Sequence, residues 1–362
     1  MTGPAPAIGI AAASAVSAFG IGWRGLAAAL RNGQSYLRPS TELAVFDSSL
    51  LAAEAFAIPP AIDSAERRAR MLMSRSALLA SVAVGNLLAE AGPGWSAPRD
   101  EIGFYLGVGA SGGAMDQLES MLAASIEGEK FSLPLFGQNG LRACNPLYAF
   151  QLMNNFTLCH SAIRYGTGGP TAALFSRGTG TVLALSEAVA AMEEGDCLRA
   201  LVGGADSSTH PVTWAELRRE GFVAAGLIPG EAAAVVALTT CADESLAQIE
   251  RCTIHAARHC SLATALAEAL QRMAIPDGVV IAPWGTPPRQ ELRNGLRTRF
   301  GALPIVDVSA ALGDSLAATA ALAWLVALDL LLVETEWRRV LVLSAGVDGD
   351  LGVTVLSRGE KR

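Results

Sequence analysis

Residues 168–206 read GGPTAALFSRGTGTVLALSEAVAAMEEGDCLRALVGGAD, and the reading of this stretch decides the fold. Its order is strand, tight glycine turn, buried helix, strand. Ala172, Ala173, Leu174, Phe175 and Ser176 form a short, mostly apolar run, and Gly178 and Gly180 give the backbone freedom for a sharp reversal. Between residues 181 and 192 only Glu187 is charged, so this helix is apolar nearly all round and is expected inside the protein. Gly195 ends it, and residues 198–202 return as a strand into a turn at Gly203 and Gly204. Strand–turn–helix elbows of this kind often lift a nucleophile off the backbone. Here residues 176–181 hold Gly178 at the tip, with Thr179 as the adjacent hydroxyl. The scaffold looks like an enzyme's, and the reactive atom is missing.

The composition limits what surrounds this elbow. The chain has 362 residues, 51% hydrophobic and 17% charged, with 37 glycines, which suits a large buried core. Its net charge is −7 and its arginines are scattered, so nucleic acid is not expected as a partner. Six cysteines without pairing rhythm point to reduced thiols in the cytoplasm. The apolar N-terminus has no basic residue before Arg24 and is broken by Gly and Pro, so it reads as a first strand and loop rather than a signal peptide. Residues 315–333 are also strongly apolar, but Asp329 interrupts them and alanines dilute them. They are expected as a buried core helix and not as a membrane span.

Outside the elbow the pattern alternates strands and helices. Residues 7–10 read as a strand, 23–30 as a helix, 64–91 as a long helix and 102–108 as a strand. A loop and helix are expected over 141–155, and an apolar strand over 232–238. Residues 241–244 mark a boundary, giving halves of 1–242 and 243–362. The second half repeats the grammar, with strands at 249–256, 279–282, 305–308, 340–343 and 353–356 and helices at 261–273 and 315–333. Two halves, each with one nearly all-apolar helix, predict an α/β body layered α/β/α/β/α, the two helices lying between two mixed five-stranded sheets.

Three further clusters invite chemistry. Gly109-Ala110-Ser111-Gly112-Gly113 imitates a hydrolase elbow, but the helix that follows is amphipathic and acidic instead of buried. Cys252, His255, His259 and Cys260 place four metal-ligand types within nine residues. Cys252 and His255 are three apart and face opposite ways on a strand, so buried thiols and loop histidines are the expected reading and no metal is assigned. Cys144, Cys159 beside His160, and Cys197 are read as core or turn residues rather than displaced nucleophiles.

Taken together, Gly169-Pro170 before the elbow, Gly203-Gly204-Ala205-Asp206 after the helix and Pro229-Gly230-Glu231-Ala232-Ala233 resemble the β-ketoacyl synthase branch of the thiolase fold over almost the whole chain. In that family the nucleophilic cysteine falls eight positions after the Gly-Pro proline, which is Gly178 here. The first catalytic histidine heads a His-Gly-Thr motif, matched by Trp284-Gly285-Thr286, and the second corresponds to Asp314. A family lysine aligns with Ser309. The phenylalanine-bearing gate corresponds to Ala345, Gly346, Val347, Asp348 and Gly349, without either phenylalanine. Claisen condensation needs a thiolate to hold the acyl chain and two imidazoles for decarboxylation and oxyanion stabilisation. Glycine carries no acyl group, and tryptophan offers one donor and no base.

The resemblance therefore implies a non-catalytic subunit of the chain-length-factor type, needing no cofactor. It would pair with an active β-ketoacyl synthase through Ala172, Ala173, Leu174, Phe175 and Ser176, and meet an acyl carrier protein indirectly. Fatty-acid or polyketide assembly is the implied setting, and the aryl-polyene type of ketosynthase partner is one implied home. Two alternatives stay open at this point: an acyl-transferring or hydrolytic enzyme with a relocated Cys or Ser, and a structural relic whose collapsed pocket has no function beyond packing.

Overall fold

The computed structural model describes residues 7–56, 58–95, 99–110, 112–241, 245–256 and 261–359. Ten principal strands form its centre. The first five are β1 (Gly9–Ser17), β2 (Ile102–Val108), β3 (Thr171–Phe175), β4 (Arg199–Ser207) and β5 (Glu231–Thr239). The second five are β6 (Ala247–Ala256), β7 (Gly278–Pro283), β8 (Ile305–Asp307), β9 (Arg339–Ala345) and β10 (Asp350–Ser357). The first set is ordered β1-β5-β4-β2-β3 and the second β6-β10-β9-β7-β8. In each, the first three in space pair antiparallel and the last three parallel. The two halves thus share one topology, strand for strand. They are not separate sheets, however. Gly9 and Ile10 of β1 pair with Gln248 and Ala247 of β6, which joins the two sets edge to edge.

Alternation along each strand sets the layers, because successive side chains point to opposite faces. Val280 and Ala282 of β7, Val340 and Val342 of β9, and Ala234 and Val236 of β5 enter one shared core. That core holds α5 (Gly180–Glu194) and α9 (Thr319–Val333). The neighbours Val279, Ile281, Leu341 and Leu343 turn instead to α7 (Leu262–Leu270) and α8 (Thr286–Phe300). On the other side, Ala233, Val235 and Ala237 pack on α2 (Arg75–Ala91) and on Leu158 of α4 (Phe156–Tyr165). Further helices include α1 (Leu26–Arg31), α3 (Met115–Ala123) and α6 (Pro211–Arg219). Strands covered on both faces read as continuous apolar runs, and the layering is α/β/α/β/α as the sequence leads one to expect.

Residues 316–333 are long and apolar enough to cross a membrane, yet every residue from 319 to 331 is buried inside the protein. The one carboxylate among them, Asp329, accepts the Ala27 N–H at 2.9 Å near the start of α1. That bond gives one oxygen of the buried carboxyl group a partner.

Several expectations need correction. Gly203 and Gly204 do not turn the chain but lie inside β4. A Cβ on Gly204 would sit 2.2 Å from Thr181 Oγ1 and 2.6 Å from the Ala317 carbonyl, so this glycine lets the starts of α5 and α9 press onto the sheet. The first strand continues to Ser17, since its alanines fit between covering layers. The long helix at 64–91 is two: Ser64–Arg70, then α2, capped by Ser74 Oγ accepting the Ala77 N–H. Helix α5 is not enclosed, because Leu183, Glu187 and Ala190 form an exposed stripe at helical spacing.

Candidate functional site

The elbow sits where expected. Strand β3 is the edge strand beyond β2, with registers such as Tyr105 to Ala172 and Val108 to Phe175. Ala172, Ala173, Leu174 and Ser176 are half-buried, and Phe175 is 57% exposed. Among the described residues β3 has no second strand partner. The turn is tight: the Gly178 N–H donates to the Ser176 carbonyl at 2.9 Å before α5 begins.

What faces Gly178 is backbone. Residues 346–349 form the hairpin turn between β9 and β10, closed by the Gly349 N–H on the Gly346 carbonyl at 3.0 Å. A Cβ built on Gly178 would lie 2.1 Å from Gly346 Cα, and φ at Gly178 is +157°. The two glycines touch, and there is no volume in which a side chain at residue 178 could sit.

A latch holds that contact. The Val347 N–H donates to the Arg177 carbonyl at 3.1 Å, and the Arg177 N–H donates to Asp348 Oδ2 at 2.9 Å. Arg177 Nε and Nη2 donate to Asp348 Oδ1 at 3.3 and 3.2 Å, and Nη1 to Glu220 Oε2 at 2.8 Å. Such multidentate, charge-assisted bonds fix geometry well. Trp284 adds a third tie, donating Nε1–H to the Gly346 carbonyl at 3.1 Å and standing perpendicular to Phe222 at 4.8 Å. With Leu217, Leu227, Leu316 and Val347 these rings make an apolar plug beside the elbow.

Asp314 does not occupy an imidazole's role. It is buried, and its Oδ1 accepts the Leu316 N–H at 2.8 Å and the Thr319 hydroxyl at 3.0 Å, which ties it to the start of α9. Burial raises its pKa to about 6. Asp206 lies nearby, fully buried, with Ser207 N–H on Oδ1 at 2.8 Å and Ala317 N–H on Oδ2 at 3.2 Å. Burial, with the Asp314 charge adding to it, raises the Asp206 pKa to about 7. Ser309 is buried, and its Oγ has no hydrogen-bond partner among the described residues.

Gly178, Trp284 and the turn from Ala345 to Gly349 thus meet at one point, and Asp314 adjoins through Leu316. Sequence reasoning missed Arg177, Glu220 and Phe222. A signal was present for the first: an arginine beside Gly178 and an aspartate in the gate-like loop are opposite charges in two segments already singled out.

The described members of the other clusters make local contacts. Cys252 Sγ donates to the Val182 carbonyl at 3.3 Å, and burial pushes its thiol up to about 12. His255 is 3.3 Å from Thr253 Oγ1, on the opposite side of β6, while His259, Cys260 and Ser111 lie outside the described residues. No group of His, Cys, Asp and Glu among the described residues could hold a metal ion. Burial pushes the Cys159 and Cys197 thiols up, away from the thiolate form, and His160 Nε2 lies 3.1 Å from the Leu72 carbonyl. Cys144 is half-buried, with Sγ 3.6 Å from the Leu141 carbonyl.

Comparison with known proteins follows the same line. The family profile described as "Beta-ketoacyl synthase, N-terminal domain" matches residues 41–243, more than half of the chain. No curated protein sequence matches. Among solved structures, one described as a β-ketoacyl synthase from Burkholderia phymatum STM815 superposes with a TM-score of 0.77 at 18% identity, covering 98% of this chain and 99% of that one. One described as the ishigamide ketosynthase/chain length factor gives 0.76 at 22%, covering 97% and 99%. A third, a type II PKS acyl-carrier protein in complex with its ketosynthase bound to the hexaketide (AntDE:AntF), gives 0.74 at 14%, covering 98% and 99%. At these identities the likeness establishes the fold.

Proposed function

Because this chain belongs to the β-ketoacyl synthase family, we propose that it serves as a non-catalytic partner subunit of the chain-length-factor type, pairing with an active ketosynthase and bounding the space in which the growing acyl chain lies. The observation behind this reading is the backbone contact between Gly178 and Gly346, which leaves no room for a nucleophile where the family keeps one. Trp284 and Asp314 add to it, one engaged with the turn and one with its own helix. A relocated nucleophile has no support from Cys159, Cys197 or Cys252, whose thiols are all pushed up.

The pairing surface we assign is Ala172, Ala173, Leu174, Phe175 and Ser176 on β3, continued by Leu183 and Ala190 on α5. An open edge strand with apolar side chains is a liability in a lone protein and is normally covered. The stripe of Leu183, Glu187 and Ala190 gives α5 a mixed outer face beside that edge, two apolar residues flanking one carboxylate. Units of 1–242 and 243–362 are the proposed division of the chain. The proposed setting is cytoplasmic fatty-acid or polyketide assembly, with the aryl-polyene type as a particular case, and the carrier protein delivers its cargo to the partner's thiol.

The test is co-expression with a ketosynthase that keeps its Cys-His-His set, followed by mass measurement during size-exclusion chromatography. A stable complex of one copy each is expected, with total buried area above about 2,000 Å² as in obligate pairs. A chain that stays monomeric and stable beside every such candidate contradicts the proposal.

A further inference from the structure

Two clefts adjoin each other away from the elbow, along α8 and the edge strand β8. The first, of about 410 Å³, is walled by Leu30, Ile305 and Trp337 and bordered by Arg31 and Arg293. The second, of about 260 Å³, shares Arg293 and Ile305 with it and adds Arg297. The larger is of the size small-molecule sites have. In the strand order β8 and β3 are opposite ends, so covering β3 with a partner leaves this region open.

Charge identifies the ligand class. The single carboxylate in these walls, Asp307, is already matched: Arg289 Nε donates to its Oδ2 at 2.7 Å and the Ala310 N–H to its Oδ1 at 3.1 Å. Arg31 pairs with Glu334. Arg293 reaches Asp307 only at 3.7 Å, and Arg297 has no ion pair among the described residues. Arg293 and Arg297 are four apart on α8 and project together. Two guanidinium groups beside an apolar wall stand out in a chain of net charge −7.

We propose that this cleft binds a small amphipathic oxyanion, a carboxylate or phosphate ester with a short apolar tail. The guanidinium forks of Arg293 and Arg297 match either head group. The tail lies against Leu30, Ile305 and Trp337. This site is separate from the elbow and its occupancy does not depend on the proposed pairing.

Isothermal titration of the full chain with octanoate and with octyl phosphate tests the proposal, with octanol and inorganic phosphate as single-feature controls. At least one amphiphile should bind, and whichever binds identifies the head group. Each control should bind about tenfold more weakly or not at all, since one good charge-assisted contact is worth roughly that factor. Arg293→Ala and Arg297→Ala should each weaken the bound amphiphile about tenfold while the melting temperature stays near that of the parent. Either variant alone suffices if the other fails to fold, and both side chains are solvent-exposed. No heat with either amphiphile up to about 1 mM, the weak end of specific binding, overturns the proposal. So does octanol binding as tightly as octanoate, or unchanged affinity in both variants.

Discussion

Replacing Gly178 by cysteine restores the family's nucleophile on paper, and the structure predicts that it damages the protein instead. The new Cβ would lie 2.1 Å from Gly346 Cα and 3.1 Å from Gly346 N, both backbone atoms that no rotamer change can move. Either the elbow shifts or the turn at residues 346–349 lifts. Overpacking of this kind costs about 1–3 kcal/mol. Lifting the turn also loosens the Arg177–Asp348 bonds, and charge-assisted contacts contribute about 1.5–3 kcal/mol. A loss of about 2.5–6 kcal/mol is therefore expected in urea unfolding of Gly178→Cys. In an Asp348→Ala background those bonds are already lost, so the same cysteine should cost about 1.5–3 kcal/mol less. Acyl transfer should remain absent in both, because Trp284 supplies no base and the Asp314 carboxylate is taken up by the Leu316 N–H and the Thr319 hydroxyl. The reasoning is refuted if Gly178→Cys lies within about 0.5 kcal/mol of the parent, the usual range for a surface change.

Other perturbations reach separate parts of the account. The folded pKa of Asp206, about 7, lies above its ordinary 3.8, so the folded state holds the proton more tightly and stability falls as pH rises from about 4 to about 7, by up to about 1.4 kcal/mol per unit. Asp206→Asn cannot ionise, so its urea midpoint relative to the parent should rise between pH 5 and pH 8; a constant difference would contradict the assignment. Trp284→Ala should cost about 2–3 kcal/mol by emptying part of the plug, and Trp284→His should give no acyl transfer; thermal melts and a carrier assay measure the two. Phe175→Asp, at a site 57% exposed, should leave the lone chain's melting temperature nearly unchanged and abolish co-purification with the ketosynthase partner.

The layered body was legible because its strands are covered on both faces. The runs at 102–108, 232–238, 279–282 and 340–343 are continuously apolar, and α9 is apolar apart from Thr319 and Asp329, so burial wrote itself into the residues. The elbow was legible through Gly178 and Gly180 for the same reason. Helix α8 was not read at all: it carries four arginines and buries only Pro288, Leu292 and Leu296, too sparse a stripe to stand out. The exposed stripe of α5 was invisible because Leu183 and Ala190 are as apolar as the buried residues beside them. Gly204 reads as a turn residue, since its reason for being glycine is the approach of Thr181 and Ala317 from elsewhere in the chain. The Arg177 latch escaped for a similar cause, as Glu220 and Asp348 stand 43 and 171 residues away in sequence.

The central claim is that the acyl chain is never attached to this polypeptide. Intact-protein mass spectrometry of the complex with its ketosynthase partner, after incubation with an acyl-loaded carrier protein, tests it most directly. The added acyl mass is expected on the partner polypeptide, with an unchanged mass for this chain; a stoichiometric acyl adduct on this chain rules the non-catalytic reading out.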